Sequence, residues 1–268
     1  MTSIPQDYDA LLVPRIFEPW AEILLDYTNI ATGMRVLDVA TGSGPAARCA
    51  ARRIGPSGHV TATDIAEPML QVARAKPQAD DSAPIVYVQS PAAPLRVVSQ
   101  RFDLVLCQQS LQFFPDRLGA LREMKRALRP GGQLAIAVWT EIGDNEWFTA
   151  IDKALLATLG AEAAAVNRAP FRWPNADELQ RTIEAAGFSD VELYRETGTL
   201  IFEKGIEQAI DALIAMPVAP ILETLQRAQY EAFIDRLRIE AKPLVQGVAV
   251  VGKLASNIAI ATAPHPAS

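Results

Sequence analysis

The stretch Arg35 to Gly44, which reads Arg-Val-Leu-Asp-Val-Ala-Thr-Gly-Ser-Gly, constrains this chain more than any other. An apolar, β-branched run carries an acidic residue near its end, small residues and two glycines follow, and Ala46 to Arg53 continues as a helix. Strand, tight turn and helix N-terminus in succession offer backbone N–H groups and the positive end of the helix dipole to an anionic or polar ligand. A ligand with a nucleoside end is the leading expectation.

The following segments repeat that rhythm. Val36 to Ala40 is the first strand, and the helix after it stops near Gly55-Pro56-Ser57-Gly58, which is turn chemistry. His59 to Thr63 is a second strand closed by Asp64, and Pro68 to Ala75 is a helix with its proline in the first turn. Val86 to Val88 makes a third strand, Phe102 to Cys107 a fourth, and Leu118 to Leu128 the next helix. Arg129-Pro130-Gly131-Gly132 is expected to stop that helix ahead of a fifth, almost wholly apolar strand, Gln133 to Trp139. Strands that alternate with helices and read as continuous apolar runs predict an α/β fold whose parallel sheet is covered on both faces.

On either side the pattern changes. Tyr8 to Tyr27 places Leu11, Leu12, Ile16, Phe17, Trp20, Ile23 and Leu24 at helical spacing, broken by Pro14 and Pro19. Residues up to about 32 are expected to form a helical lid. Beyond Trp139, Glu141 to Arg172 is helical and alanine-rich, Ala176 to Ala186 is a helix closed by Gly187, and Val191 to Phe202 alternates as a strand. Gly205 to Ala241 is again helical, Val248 to Thr262 supplies a final strand, and Pro264 to Ser268 reads as a frayed end. With no internal repeat or linker, a single domain over residues 1–268 is expected, with cap insertions at about 141–172 and 205–241.

Composition narrows the function. Hydrophobic residues make up 50% and charged residues 21%, as in ordinary globular domains. A net charge of -6 and a pI of about 5.1 leave no broad basic surface for nucleic acid. Met1 to Asp9 is polar and unlike a signal peptide, and no apolar run reaches the length of a membrane span, so a cytoplasmic location is expected. Cys49 and Cys107 read as buried free thiols in a reducing compartment. GxSxG, P-loop and metal-ligand patterns are missing from the sequence, and no metal is expected.

Gly42, Gly44 and Ala47 satisfy a relaxed GxGxxA pattern, and Asp64 stands 20 residues after Gly44, where an acidic residue meets a ribose diol. A dinucleotide enzyme would share those features. Asp38, four residues before Gly42, separates the two cases. A carboxylate there repels a pyrophosphate but tolerates a ligand that carries an amine and a sulfonium. On Val36 to Gly44, Asp64 with Met69-Leu70, Phe102-Asp103-Leu104-Val105 and Leu128-Arg129-Pro130-Gly131-Gly132, the chain resembles the class I S-adenosylmethionine-dependent methyltransferases, in the subgroup of ubiquinone/menaquinone-type and bacterial natural-product enzymes. The resemblance runs from about Tyr8 to Val191.

It implies a Rossmann-like, mostly parallel sheet with an antiparallel last strand, flanked by helices and carrying a helical cap. It implies methyl transfer from S-adenosylmethionine, with S-adenosylhomocysteine as product, to oxygen or carbon of a small apolar metabolite such as a polyketide or quinone. The alternative is a protein of this fold that binds the cofactor but guides a cyclisation or rearrangement. Under the resemblance, Asp38 and the backbone of Ala40, Thr41, Gly42 and Gly44 hold the methionine end. Asp64 accepts from the ribose hydroxyls, Ile65 and Met69 flank the adenine, and Gln108 or Gln109 touches the methionine tail or the acceptor. The Gly-Asp-Ala usual after the third strand is here Ser90-Pro91-Ala92, so the Ala92 amide is left to reach the adenine and one hydrogen bond is lost, about 1 kcal/mol net. His59 and His265 are poorly placed as bases, which leaves Tyr8, Gln109, Glu141 and Asp144 as candidates. A small-molecule acceptor and a monomer or homodimer are expected.

Overall fold

The structure, a computed structural model, describes residues 3–265. In chain order, helix α1 (Ile4–Leu11) leads through a π-helical turn (Val13–Phe17) into α2 (Glu18–Asp26), which has Pro19 in its first turn. Strand β1 (Arg35–Val39) and helix α3 (Pro45–Ile54) flank the glycine turn, followed by β2 (His59–Asp64), α4 (Glu67–Ala75) and β3 (Ile85–Gln89). Next come β4 (Phe102–Gln108), α5 (Arg117–Ala127), β5 (Leu128–Trp139), α6 (Glu146–Thr158), α7 (Ala161–Asn167) and α8 (Ala176–Ala185). The chain continues with β6 (Ser189–Phe202), α9 (Ile206–Asp211), α10 (Ala219–Leu222), α11 (Arg227–Ala241), β7 (Val245–Gln246) and β8 (Ala249–Thr262).

The strands lie in the order β3-β2-β1-β4-β5-β8-β6, with β7 paired to β8. From β3 to β5 all pairs are parallel. Along β5 and β8 the partners run in opposite senses, since Gly131 N donates to Ala263 O and Thr140 N to Ala255 O, which makes the last strand antiparallel to its neighbour. This is the mostly parallel, helix-flanked sheet of the class I methyltransferase fold. One local reading is corrected. Arg129 to Gly132 does not precede the fifth strand: Leu128 already pairs with Phe102, and Gln133 pairs with Leu104, so the four residues form an excursion within β5. Pro130 has no N–H for the ladder, Gly131 takes φ +74°, and the excursion pairs instead with Ala263 at the end of β8. The two-residue strand β7, turning back at Gly247, was too short to read from the sequence.

Contacts divide the chain into two compact units, and β5, β6 and β8 contribute residues to both. The first holds residues 17–138, 175–195 and 257–265. Its core follows from the two-residue period of the strands. Val36 of β1, Val60 and Ala62 of β2, Leu104 and Leu106 of β4, Ala135 and Ala137 of β5, and Ile258 and Ile260 of β8 form one apolar face, packed against α2 and α3 through Leu24, Leu25, Ala47, Ala50 and Ile54. The run of alanines on α3 is what lets that helix lie close to the sheet.

The second unit holds residues 3–16, 139–174 and 196–256. The stretch read as a lid therefore divides after Ile16, and both ranges read as cap insertions fall in this unit. Here α6 packs against α7 and α11, and α1 against the short helix Ala212–Ala215. Trp147 is fully buried with its ring 5.6 Å from that of Phe202, and Phe148 and Trp139 both pack on Phe171. Those aromatic side chains are core, whereas Phe113, in the first unit, is 55% exposed.

Candidate functional site

Asp38 shares the face of β1 with Val36, opposite Ala62 of β2 and Leu106 of β4, so alternation alone turns its carboxylate into the apolar layer beneath α3. Its side chain is closed to solvent. Thr41 Oγ1 donates to Asp38 Oδ2 at 2.5 Å, and the Ala47 amide in the first turn of α3 also donates to this carboxylate. Burial pushes the Asp38 carboxyl up to about 7; the Thr41 and Ala47 bonds pull it down, and the nearby Asp64 charge pushes it further up. The acid is thus a clamp inside the glycine turn.

The turn itself is strained where it meets β1. Ala40 has φ +57°, Gly42 +57° and Gly44 +85°. Thr41 N donates to Thr63 O, Gly44 N to Thr41 O, and Gly42 N to Asp64 Oδ2 at 2.8 Å, so three of the amides expected to face the methionine end are engaged within the protein. The second Asp64 oxygen accepts from Ala66 N at 2.8 Å. That carboxylate bridges the glycine turn and the start of α4. Nearby, Ile65 is 70% exposed and Met69 is half-buried.

Gly44 shows how closely this corner is packed. A Cβ there would stand 3.1 Å from the Tyr87 hydroxyl and 3.2 Å from Arg48 Nη1, while one on Gly42 would meet nothing within 4 Å. Arg48 Nη1 donates to Ser43 O at 2.6 Å, and Tyr87, opposite Ala62 in the register, lies on the face that packs against α3. Arg48, Tyr87 and the buried Ser43 were missed in the sequence; the signals were the helical step of four from Gly44 and the period-two place of Tyr87 beside Ala62.

On β4, Gln108 Nε2 donates to Phe17 O at 2.7 Å, which ties this amide to the chain ahead of α2. Gln109 is buried at φ +53°, its N–H donates to Ala137 O, and its carbonyl accepts from Gln112 Nε2. Ser110 Oγ donates to Gln108 O and, at 3.3 Å, to Ala40 O, linking the two strained strand ends. After β3, Ser90 N donates to Asp64 O, and Ser90 Oγ donates to Pro91 O and accepts from Arg96 N. Ala92 is half-buried in that loop. The first unit therefore brings together Asp38, Ala40, Thr41, Gly42, Gly44 and Asp64 in one bonded turn, with Gln108 and Gln109 on the neighbouring strand. Tyr8, Glu141 and Asp144 belong to the second unit, and Glu141 is exposed at the start of a short 3-10 turn.

The sequence profile described as the ubiE/COQ5 methyltransferase family matches residues 1–205. The chain belongs to the ubiE/COQ5 methyltransferase family. A demethylmenaquinone methyltransferase of Listeria welshimeri is 30% identical over 189 residues, covering 67% of this chain and 80% of that protein. The ubiquinone/menaquinone biosynthesis C-methyltransferase UbiE of Bordetella avium is 29% identical over 221 residues, covering 76% and 84%. Among solved structures, a putative methyltransferase of Bacillus halodurans superposes with a TM-score of 0.59 at 21% identity, over 91% of this chain and 99% of that one. The protein is an S-adenosylmethionine-dependent methyltransferase of small molecules.

The turn fits that cofactor. Each Asp64 oxygen accepts one backbone N–H and keeps a second lone pair for a ribose diol. The open side of Gly42 gives room for close approach, and the Ser43 hydroxyl is fully buried with no hydrogen-bond partner among the described residues. Carboxylates and backbone carbonyls suit an ammonium and a sulfonium, and the exposed Ile65 suits a flat base. No described helix is long and apolar enough to cross a membrane.

Proposed function

We propose that this enzyme methylates oxygen or carbon of a polyketide- or quinone-like metabolite. The observation that carries the reading is the Asp64 bridge, which joins the glycine turn to the β2–α4 connection and presents two carboxylate oxygens beside an exposed apolar side chain. The names of the curated relatives support a quinone-like acceptor.

When bound, S-adenosylmethionine supplies a methyl group on a sulfonium. Asp64 would accept from the ribose hydroxyls, Ile65 and Met69 would flank the adenine, and the Ala92 amide would be the donor left for the ring. The turn formed by the backbone of Ala40, Thr41, Gly42 and Gly44 would hold the methionine end, with Asp38 fixing the turn's shape from below. Methyl transfer needs alignment above all, and positioning supplies several kcal/mol of its barrier. Gln108 and Gln109 contribute to that alignment through hydrogen bonds, since a carboxamide does not titrate in the working range. Tyr8 and Glu141 are the candidates for taking a proton from the acceptor. Segments 1–32, 141–172 and 205–241 belong, in this reading, to one catalytic domain with the sheet. The enzyme works in the cytoplasm as a monomer or homodimer, and its net charge of -6 supports a life away from nucleic acid.

Incubation with methyl-labelled cofactor and a panel of phenols, hydroquinones and naphthoquinols tests the reading. Label should appear in an apolar product with equimolar S-adenosylhomocysteine, and Tyr8→Phe or Glu141→Gln should lower kcat if either takes the proton. A second reading rests on Pro91, which occupies the place of an adenine-binding carboxylate: turnover of an acceptor without loss of the cofactor's methyl group would establish cyclisation or rearrangement instead.

A further inference from the structure

A cavity of about 710 Å³ lies within the first unit, away from the glycine turn. Ser99 and Gln100 enter it just ahead of β4, and Leu128 and Pro130 at the start of β5. It therefore opens at the amino ends of these strands, whereas the glycine turn follows the carboxyl end of β1. The length of β4 alone separates those edges by roughly 20 Å.

Its charge is one-sided. Arg122, Lys125 and Arg126 line it from one face of α5, at the spacing of three and four that aligns side chains on a helix, and His265 faces the cavity from beyond β8. Arg126 is committed: Glu123 pairs with it, and Leu95 O, Val97 O and Ser99 Oγ accept from it. Among the described residues, neither Arg122 nor Lys125 has a carboxylate partner, and no acidic side chain lines the cavity. The apolar part of the lining is made by Leu128, Pro130, Ala186, Ala263 and Pro264.

The wall is held by the β5 excursion. Gly131 N donates to Ala263 O, Ala263 N donates to Gly132 O, and a Cβ on Gly131 would stand 3.1 Å from His265 Nε2. The imidazole sits against the space that a side chain at position 131 would fill. Of the stretch read as a frayed end, Pro264 and His265 are exposed and border the cavity, while residues 266–268 lie outside the described residues.

We propose that this cavity binds a small phosphate-bearing molecule with an apolar body, its anionic group between Arg122, Lys125 and His265 and its body against the Leu128–Pro130–Ala263 wall. Arginine offers a fork of donors and lysine a point charge to phosphate oxygens. The volume lies in the range of small-molecule sites. In a chain of net charge -6, a local cluster of cations inside a concavity attracts a compact anion and gives no extended surface for a polynucleotide.

Calorimetric titration of the full-chain protein with phenyl phosphate and, separately, inorganic phosphate tests this. Saturable one-to-one binding is expected, with phenyl phosphate tighter by at least about fivefold because of the apolar wall, and a weakening of about tenfold or more in Arg122→Ala/Lys125→Ala. S-adenosylmethionine affinity should stay within about twofold in that variant, which reports an intact fold. The exposed Arg122→Glu single variant repeats the measurement without touching packing. The proposal falls if binding does not saturate below about 10 mM, if the variants bind phenyl phosphate like the parent, or if saturating S-adenosylmethionine competes it away.

Discussion

Asp38 makes an unusual demand on stability. Its carboxyl has an ordinary value of 3.8 when unfolded and is pushed up to about 7 in the fold, chiefly by burial. Between those values the folded chain keeps a proton that the unfolded chain has released, so stability falls as pH rises. The contribution is complete below about pH 4 and gone above about pH 7, and it amounts to about 4 kcal/mol over the full window. From pH 5 to pH 8 the loss is about 2.5 kcal/mol. Glu22 and Glu123 are held below their ordinary value, Glu22 by its bonds to Arg53, Cys49 and Arg52 against the opposing effect of burial, and Glu123 first by Arg126. They act in the opposite sense and mostly at lower pH, where they stabilise as they ionise. Asp38→Asn keeps an acceptor for Thr41 Oγ1 but cannot titrate. Urea denaturation followed by circular dichroism at pH 5, 6, 7 and 8 should show the parent losing about 2.5 kcal/mol more than the variant across the series. Parallel curves for the two proteins would refute the account of a protonated, buried acid under α3.

Three further perturbations separate cofactor binding from folding. Asp64→Ala removes the partner of Gly42 N and Ala66 N as well as the proposed diol acceptor; S-adenosylmethionine affinity measured by calorimetry should fall about 10- to 100-fold, and a change within twofold would exclude Asp64 from the cofactor. Gly42→Ala and Gly44→Ala both place a side chain at positive φ at a cost of about 1 kcal/mol, but only the second crowds Tyr87 and Arg48, which must give by a few tenths of an ångström. Thermal unfolding should therefore be depressed more in Gly44→Ala, while Gly42→Ala, whose Cβ enters the open side of the turn, should lose more cofactor affinity per degree of Tm; the reverse order would overturn the assignment of that open side. Pro91→Asp should raise cofactor affinity about fivefold by restoring an acceptor after β3, and unchanged affinity would show that this loop does not meet the adenine.

What the sequence made legible was local. The order of strand, glycine turn and helix follows from apolar runs, small residues and proline positions that lie within a few residues of one another, and these elements stand close to where they were expected. What stayed hidden depends on partners far along the chain. The Pro130-Gly131-Gly132 excursion makes sense only beside Ala263, and the Gln108 amide finds its acceptor at Phe17, 91 residues away. The division of the chain after Ile16 and at Trp139 likewise depends on which helices pack together, and helical periodicity carries no information about that.

Asp38 joins both kinds of information. As a motif residue it selected a cationic ligand over a pyrophosphate, an argument about charge that needs no coordinates. Its place opposite Ala62 and Leu106 turns it beneath α3, where it holds Thr41 and the Ala47 amide. A carboxylate buried there opposes folding at neutral pH, yet it supplies an acceptor to the turn that carries Gly42 toward Asp64. The selectivity argument therefore belongs to the field that Asp64 and the ionised form of Asp38 exert together, each raising the cost of a nearby anion, while the proposed hydrogen bonding to the cofactor rests on Asp64, whose oxygens keep lone pairs beyond the two backbone amides they accept.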